Sequence, residues 1–183
     1  MQPRRAVLDA NVLFSGVTRH ILLALAAEPT LVYIATWSRR ILQELERNIR
    51  RHWNLGPREL ARLLDDIRGS CPDAVVDPPV ELVRLMPNHD KDRHVLATAV
   101  ATRAEVVVTN NVRDFRGADA WRVRVQTPDD FLCDLYRDEP DKVKAAMVAL
   151  VGRLSNPTSL QELADRCALA GLRRFAVLLR ETT

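Results

Sequence analysis

Four carboxylates occupy places where a sheet protein builds a reactive site. Asp9 directly follows the apolar run Ala6-Val7-Leu8, and Glu44 lies on the flank of an amphipathic stretch. Asp92 opens a second such stretch, and Asp114 comes five residues after Thr109, which ends Val106-Val107-Val108. Singly, each has a plainer use: Asp92 as a partner for a helix dipole, Glu44 as a solvated helix residue, Asp114 as a turn former. Asp9 is harder to set aside, because an acid at the mouth of a buried strand costs several kcal/mol to desolvate unless it is paired, hydrogen-bonded or metal-bound. In open α/β sheets ligands sit beyond the carboxyl ends of the strands, so the two aspartates that follow strands are expected to converge there. Acids gathered without a compensating Lys or His repel one another and favour a bound cation. An all-oxygen donor set suits Mg²⁺ or Mn²⁺.

The elements that must position these acids follow from hydrophobic patterning. Ala6-Val7-Leu8 is wholly apolar, as a parallel-sheet strand buried on both faces requires. After Gly16, Ile21, Leu22, Leu25 and Ala26 recur at helical spacing up to Pro29, and Leu31-Val32-Tyr33-Ile34 reads as a second strand, which makes a β-α-β opening. Thr36 or Ser38 can cap a helix carrying Ile41, Leu42, Leu45 and Ile49 on one face, with Glu44 and Glu46 flanking that stripe on opposite sides. Gly56-Pro57 interrupts it, a further helix is predicted over 58–67, and Val75-Val76 reads as another short strand. Asp90 or a neighbour caps a helix with Val95, Leu96, Ala99 and Val100 in the core. His94, two residues after Asp92, is expected to point about 200° away round that helix and to be structural. Val106-Val107-Val108 and Val123-Arg124-Val125 complete the strands, and Pro128-Asp129-Asp130 opens a helix reaching about Tyr136. Strands alternating with helices predict an α/β fold, a parallel sheet with helices on both faces. Beyond Asp138-Glu139-Pro140 the strand signals stop and three helical stretches follow, over about 141–154, 159–169 and 172–181. The chain therefore reads as an α/β unit over 1–137 and an all-α extension over 138–183.

Composition narrows the classes. A chain of 183 residues suits one core with an appendage. Its 47% hydrophobic and 28% charged residues exclude a disordered or fibrous chain. Lys and Arg total 27 against 24 Asp and Glu, a net +3 that permits nucleic-acid binding without requiring it. The balance hides segregation, since eight arginines fall between positions 39 and 68 against five acids. Arg39, Arg40, Arg47, Arg50 and Arg51, with Arg58, are the candidate phosphate contacts, and solvated helix faces are their plainer use. Trp53 suits base stacking or a core position, the second being the simpler. Three widely separated cysteines argue against a disulfide framework or zinc site and fit a reducing cytosol. Asp9 and Asn11 interrupt the leading apolar run too early for a signal peptide. The longest apolar run, Ile21 to Ala27, falls well short of the roughly 20 residues that span a bilayer. A cytoplasmic location and no membrane partner are expected.

Taken in order, Leu8-Asp9-Ala10-Asn11-Val12-Leu13, Ser38 with Glu44-Leu45, Asp92-Arg93-His94-Val95-Leu96-Ala97, and Val108-Thr109-Asn110-Asn111 with Asp114-Phe115 resemble the PIN-domain ribonucleases. More closely, they resemble the VapC-like toxins of bacterial type II toxin–antitoxin pairs. The resemblance covers residues 4–137, and Pro128-Asp129-Asp130-Phe131-Leu132 with the helical tail marks a longer subgroup carrying a C-terminal extension. It implies a PIN-like α/β/α sandwich and makes Asp9, Glu44, Asp92 and Asp114 the metal-binding catalytic acids. Asn11, Thr109 and Asn111 would support them, Glu46 being the less favoured glutamate. Many relatives carry an acid where Asn111 stands here, so Asp114 would supply the fourth carboxylate, with Asn111 reaching a metal-bound water and Asp119 a distant substitute. Mg²⁺ or Mn²⁺, one ion or two, would activate a water for in-line attack on an RNA phosphodiester. The implied partners are the RNA substrate and a cognate antitoxin, a small DNA-binding protein, with a homodimer left open. The alternative role is a housekeeping RNA-processing nuclease.

Two other classes fit less well. Asp9 after a strand suits an aspartyl-phosphate nucleophile, but position 11 is Asn and no lysine stands near a later strand end. Residues 159–174 scan as a helix-turn-helix, yet the following stretch is rich in Phe175, Val177, Leu178 and Leu179 and poor in groups that read base edges. Packing or a protein partner explains that stretch better.

Overall fold

The computed structural model describes residues 3–154 and 159–181; the outer limits set above for the two segments, at residues 1 and 183, lie outside the described residues. Its sheet is assembled from the short apolar runs. Strands β1 (Arg4–Leu8), β2 (Tyr33–Thr36), β3 (Val106–Val108) and β4 (Arg124–Gln126) are all parallel, in the order β2-β1-β3-β4. The two central strands are fully enclosed at Ala6, Val7, Leu8 and Val106 to Val108, which is why they show no polar alternation. Leu8 pairs with Val108, so the next residues, Asp9 and Thr109, leave the sheet side by side at its carboxyl edge.

The helices follow the predicted alternation and confirm the α/β class. They are α1 (Ala10–Phe14), α2 (Gly16–Ala26), α3 (Arg39–His52), α4 (Pro57–Ser70), α5 (Val80–Leu85), α6 (Arg93–Thr102) and α7 (Pro128–Asp138). Ser38, one of the two caps expected for α3, accepts the Ile41 N–H through its hydroxyl. Three local expectations change. The second strand starts at Tyr33 rather than Leu31, because Leu31 takes a positive φ of 37° and the Val32 N–H turns back to the Leu25 carbonyl. Val75-Val76 contributes one isolated bridge to Trp37 rather than a strand, since Pro78 and Pro79 follow at once and have no N–H to extend a ladder. The short helices α1 and α5 went unpredicted, being only five and six residues long.

The extension contains α8 (Pro140–Arg153), α9 (Leu160–Leu169) and α10 (Arg173–Arg180), close to the predicted stretches. It shares the main core. Helix α8 packs on α2 and α7, α10 packs on α7 and α9, and Val143, Met147, Phe175 and Leu179 belong to the same apolar cluster as the sheet. Asp129 in α7 fastens this contact, its carboxylate accepting the backbone N–H groups of Arg174 at 3.1 Å and Phe175 at 2.9 Å. Those are donors that the start of α10 cannot satisfy within the helix. Arg174 also pairs with Asp130. The second helix of the helix-turn-helix scan is thus committed to packing, as its composition suggests.

Candidate functional site

Asp9 is the best-anchored of the four acids. It is 4% exposed, caps α1, and its N–H donates to the Val108 carbonyl at 3.1 Å. Its Oδ2 accepts hydrogen bonds from Thr109 Oγ1 and from Asn11 Nδ2, both at 2.7 Å. Asn11 Nδ2 also lies 3.0 Å from Thr109 Oγ1, and Asn11 Oδ1 accepts the Asn110 N–H at 3.0 Å. The side chain of Asn11 therefore ties the first strand end to the third. Burial pushes the Asp9 carboxyl above its ordinary range and Glu44 adds to that, while Thr109 and the Ala10 backbone draw it back. Asn111 works through its backbone: its N–H donates to Thr109 Oγ1 and its carbonyl accepts from the Asp114 N–H.

Asp92 links the set, since it feels the charges of Asp9, Asp114 and Glu44. Asp92 ends a 3₁₀ turn, Asp90–Asp92, and so caps α6 instead of lying in its first turn. Its Oδ2 is buried and has no hydrogen-bond partner, the nearest cation being Lys91 Nζ at 3.7 Å. Burial raises the Asp92 carboxyl, Lys91 opposes, and the charges of Asp9, Asp114 and Glu44 raise it further. Asp114 sits in the 3₁₀ turn Val112–Phe115, where its carbonyl accepts the His89 N–H at 3.0 Å. That bond ties its loop to the segment carrying Asp92. The hydrogen bond from Lys91 Nζ, at 2.9 Å, holds the Asp114 carboxyl below the usual range. Glu44 is pushed up by burial, but His94, Arg40 and Arg47 outweigh this and hold it below its ordinary value.

The sequence alone does not place two further groups of this site, His94 and Lys91. His94 does not point away: its ring is buried and Nε2 lies 3.0 Å from Glu44 Oε1. The helical arithmetic fails because Asp92 stands outside the helix, at φ −106° and ψ 1°, so no uniform 100° step separates it from His94. Lys91, bridging Asp92 and Asp114, is a compensating lysine within the site. Its position between Asp90 and Asp92 was the available signal.

The remaining candidates separate cleanly. Glu46 pairs with Arg50 at 2.8 Å, apart from the four acids, and Asp119 is exposed beside β4. Of the candidate phosphate contacts, Arg39 is held by Asp77, Arg40 and Arg47 approach Glu44 at 3.7 Å, and Arg50 is taken by Glu46. Arg51 has no ion pair among the described residues. With Arg47, Asn48, Glu44, Lys91 and Asp92 it lines a cleft of about 290 Å³. Trp53 packs against Phe14, ring centroids 5.2 Å apart, under the buried guanidinium of Arg19, so it serves the fold.

Among the described residues, no three acidic, histidine or cysteine side chains close on one point as coordination would require. What does fit a hard cation is the donor chemistry: Asp92 feels the charges of Asp9, Asp114 and Glu44, and its buried Oδ2 makes no hydrogen bond. The thiols do not compete. Cys71, Cys133 and Cys167 are free and distant in sequence, and burial pushes them up to about 11, 11 and 12. No helix among the described residues is long and apolar enough to cross a membrane.

Residues 5–113 match the family model described as the PIN domain, and residues 128–181 match the one described as the VapC50 C-terminal domain. A curated protein of Mycobacterium tuberculosis named "Putative ribonuclease VapC50" is 39% identical over 79 residues, 42% of this chain and 47% of that protein. The match thus spans about half the length of that relative. No solved structure matches.

Proposed function

The chain belongs to the PIN-domain family, and on that premise we propose that it is a metal-dependent endoribonuclease, the toxin of a toxin–antitoxin pair. The observation that carries the reading is the buried Asp92 Oδ2, which makes no hydrogen bond, beside three further carboxylates whose charges it feels and a cationic rim. Asp9, Glu44, Asp92 and Asp114 would hold Mg²⁺ or Mn²⁺, which when bound lowers the pKa of a water and neutralises charge developing on the phosphodiester. Thr109 and Asn11 keep the Asp9 carboxylate in one orientation and favour its ionised form. His94, with Arg40 and Arg47, keeps Glu44 ionised. Lys91 balances Asp92 and Asp114, so the loop carrying Asp114 stays against the site. Arg51 and Asn48, which line the cleft, would hold the substrate backbone. A metal-activated water needs no 2′-hydroxyl, so RNA as substrate rests on the name of the relative. The toxin role rests on the match to the VapC50 C-terminal domain and implies a cognate antitoxin, a small DNA-binding protein, in the cytoplasm.

The test is cleavage of single-stranded and structured RNA with Mg²⁺ or Mn²⁺, with chelator, and with Asp9→Asn. Activity that survives both chelator and Asp9→Asn refutes the mechanism. Growth arrest on expression, relieved by the product of an adjacent small gene, supports the toxin role; harmless expression of an active enzyme supports a housekeeping nuclease.

A further inference from the structure

A second surface joins the site from the opposite edge of the sheet. Among the described residues, strand β4 has a sheet partner on one side only. Beside it lies an open groove of about 610 Å³, lined among others by Val112, Phe115, Arg116, Asp119, Arg122 and Arg124. Arg116, Arg122 and Arg124 are exposed and, among the described residues, have no ion pair, in contrast to the arginines of α3 that Asp77, Glu44 and Glu46 hold. The groove is set by backbone geometry. Gly117, at φ 81°, lies so close to Pro87 that a Cβ there would stand 2.9 Å from its ring. Arg122, at φ 58°, donates its N–H to the Asp119 carbonyl at 2.9 Å. The groove reaches the edge of the site through Gln126, one of its lining residues, whose carbonyl accepts the N–H of Thr109 at 3.0 Å, the residue that holds Asp9.

We propose that this groove carries the RNA strand on one side of the scissile phosphate, with Arg116, Arg122 and Arg124 holding its phosphates over an apolar floor. The proposal deepens the nuclease reading and rests on it. A site built of four carboxylates repels the flanking phosphates, so cations free of internal acid partners are needed along the strand. Guanidinium groups bind phosphate in a planar, two-pronged fashion. An acidic polypeptide also suits the charge, but the contact of Gln126 with Thr109, beside Asp9, favours the substrate.

The experiment measures binding of a short single-stranded RNA to the full chain carrying Asp9→Asn, with Mg²⁺ present, across a range of salt. The same protein with Arg116→Ala, Arg122→Ala and Arg124→Ala is compared. Three lost phosphate contacts flatten the slope of log K against log salt by about 2. In the cleaving protein the triple substitution raises KM for a long RNA and leaves a dinucleotide substrate unaffected. Crosslinking of 4-thiouridine RNA to the Asp9→Asn protein, expected within residues 112–126, reads the same contact without any arginine substitution. An unchanged slope and no crosslink there overturn the groove while the nuclease reading stands. Loss of poly-glutamate binding in the triple variant with RNA binding intact assigns the groove to a protein and overturns it too. No RNA binding by the Asp9→Asn protein overturns both readings.

Discussion

Replacing Thr109 with Val keeps the shape of a fully buried side chain and removes its hydroxyl. That hydroxyl donates to Asp9 Oδ2 at 2.7 Å and accepts from Asn11 Nδ2 and the Asn111 N–H, each at 3.0 Å. The Asn111 N–H belongs to an exposed residue, so water can replace its partner. The buried carboxylate has no such recourse and loses a charge-assisted bond, which costs about 1.5–3 kcal/mol. For a chain of this size that lowers Tm by roughly 3–12 °C. The penalty carries a pH signature. Burial already raises the folded carboxyl of Asp9 above its unfolded value, so its ionisation weakens folding as pH rises through the folded pKa. Thr109 opposes that rise, so the variant's deficit is full at neutral pH and shrinks as acid protonates Asp9. Denaturant unfolding of both proteins in chelator, at neutral pH and at successively lower pH, measures it. A deficit that does not change with pH would mean that Thr109 acts through packing alone, and the account of Asp9 would be wrong.

Other substitutions address separate links. Arg19→Met removes a buried guanidinium that donates to the Leu13 carbonyl at 2.7 Å and faces the Trp53 ring at 5.6 Å. Stranding that carbonyl costs about 1–3 kcal/mol, seen as a lower midpoint in urea; an unchanged midpoint would mean water takes its place. Asp129→Ala uncaps α10 and costs about 0.5–2 kcal/mol, with faster proteolysis after α8 as the local readout. Lys91→Met removes the cation that competes for Asp92 and Asp114, so calorimetry should find tighter Mn²⁺ binding; weaker binding would show that Lys91 supports the ion instead. In the parent protein Mg²⁺ or Mn²⁺ at about 100 times its Kd should add about 2.7 kcal/mol to stability, and Asp92→Asn should remove most of that gain.

The fold was legible because its signals are local. Val106-Val107-Val108 and Ala6-Val7-Leu8 have no polar alternation, and only a doubly covered parallel sheet accommodates such runs. The extension's helices announced themselves through Pro140 and Ser159 at their starts. Where local signals compete they mislead: Leu31-Val32 is as apolar as a strand, yet a positive φ at Leu31 turns it back on α2. His94 was misplaced for a similar reason, since a 3₁₀ turn before α6 broke the regular rotation on which its direction was reckoned.

The order and identity of the acids, the alternation of elements and the clustering of arginines in α3 and α4 are properties of the linear chain, readable from side-chain polarity and period alone. Which of those arginines remain free is not, because ion pairing depends on what lies within a few ångströms in space. Asp77, nearly forty positions along, takes Arg39, while Arg116, Arg122 and Arg124 keep their charge unspent. The same holds for Lys91 between Asp92 and Asp114, and for His94 against Glu44. Backbone propensity acts between neighbours in sequence, whereas the electrostatics of a site are set by charges that only the register of β1 against β3 and the turns beyond them bring together.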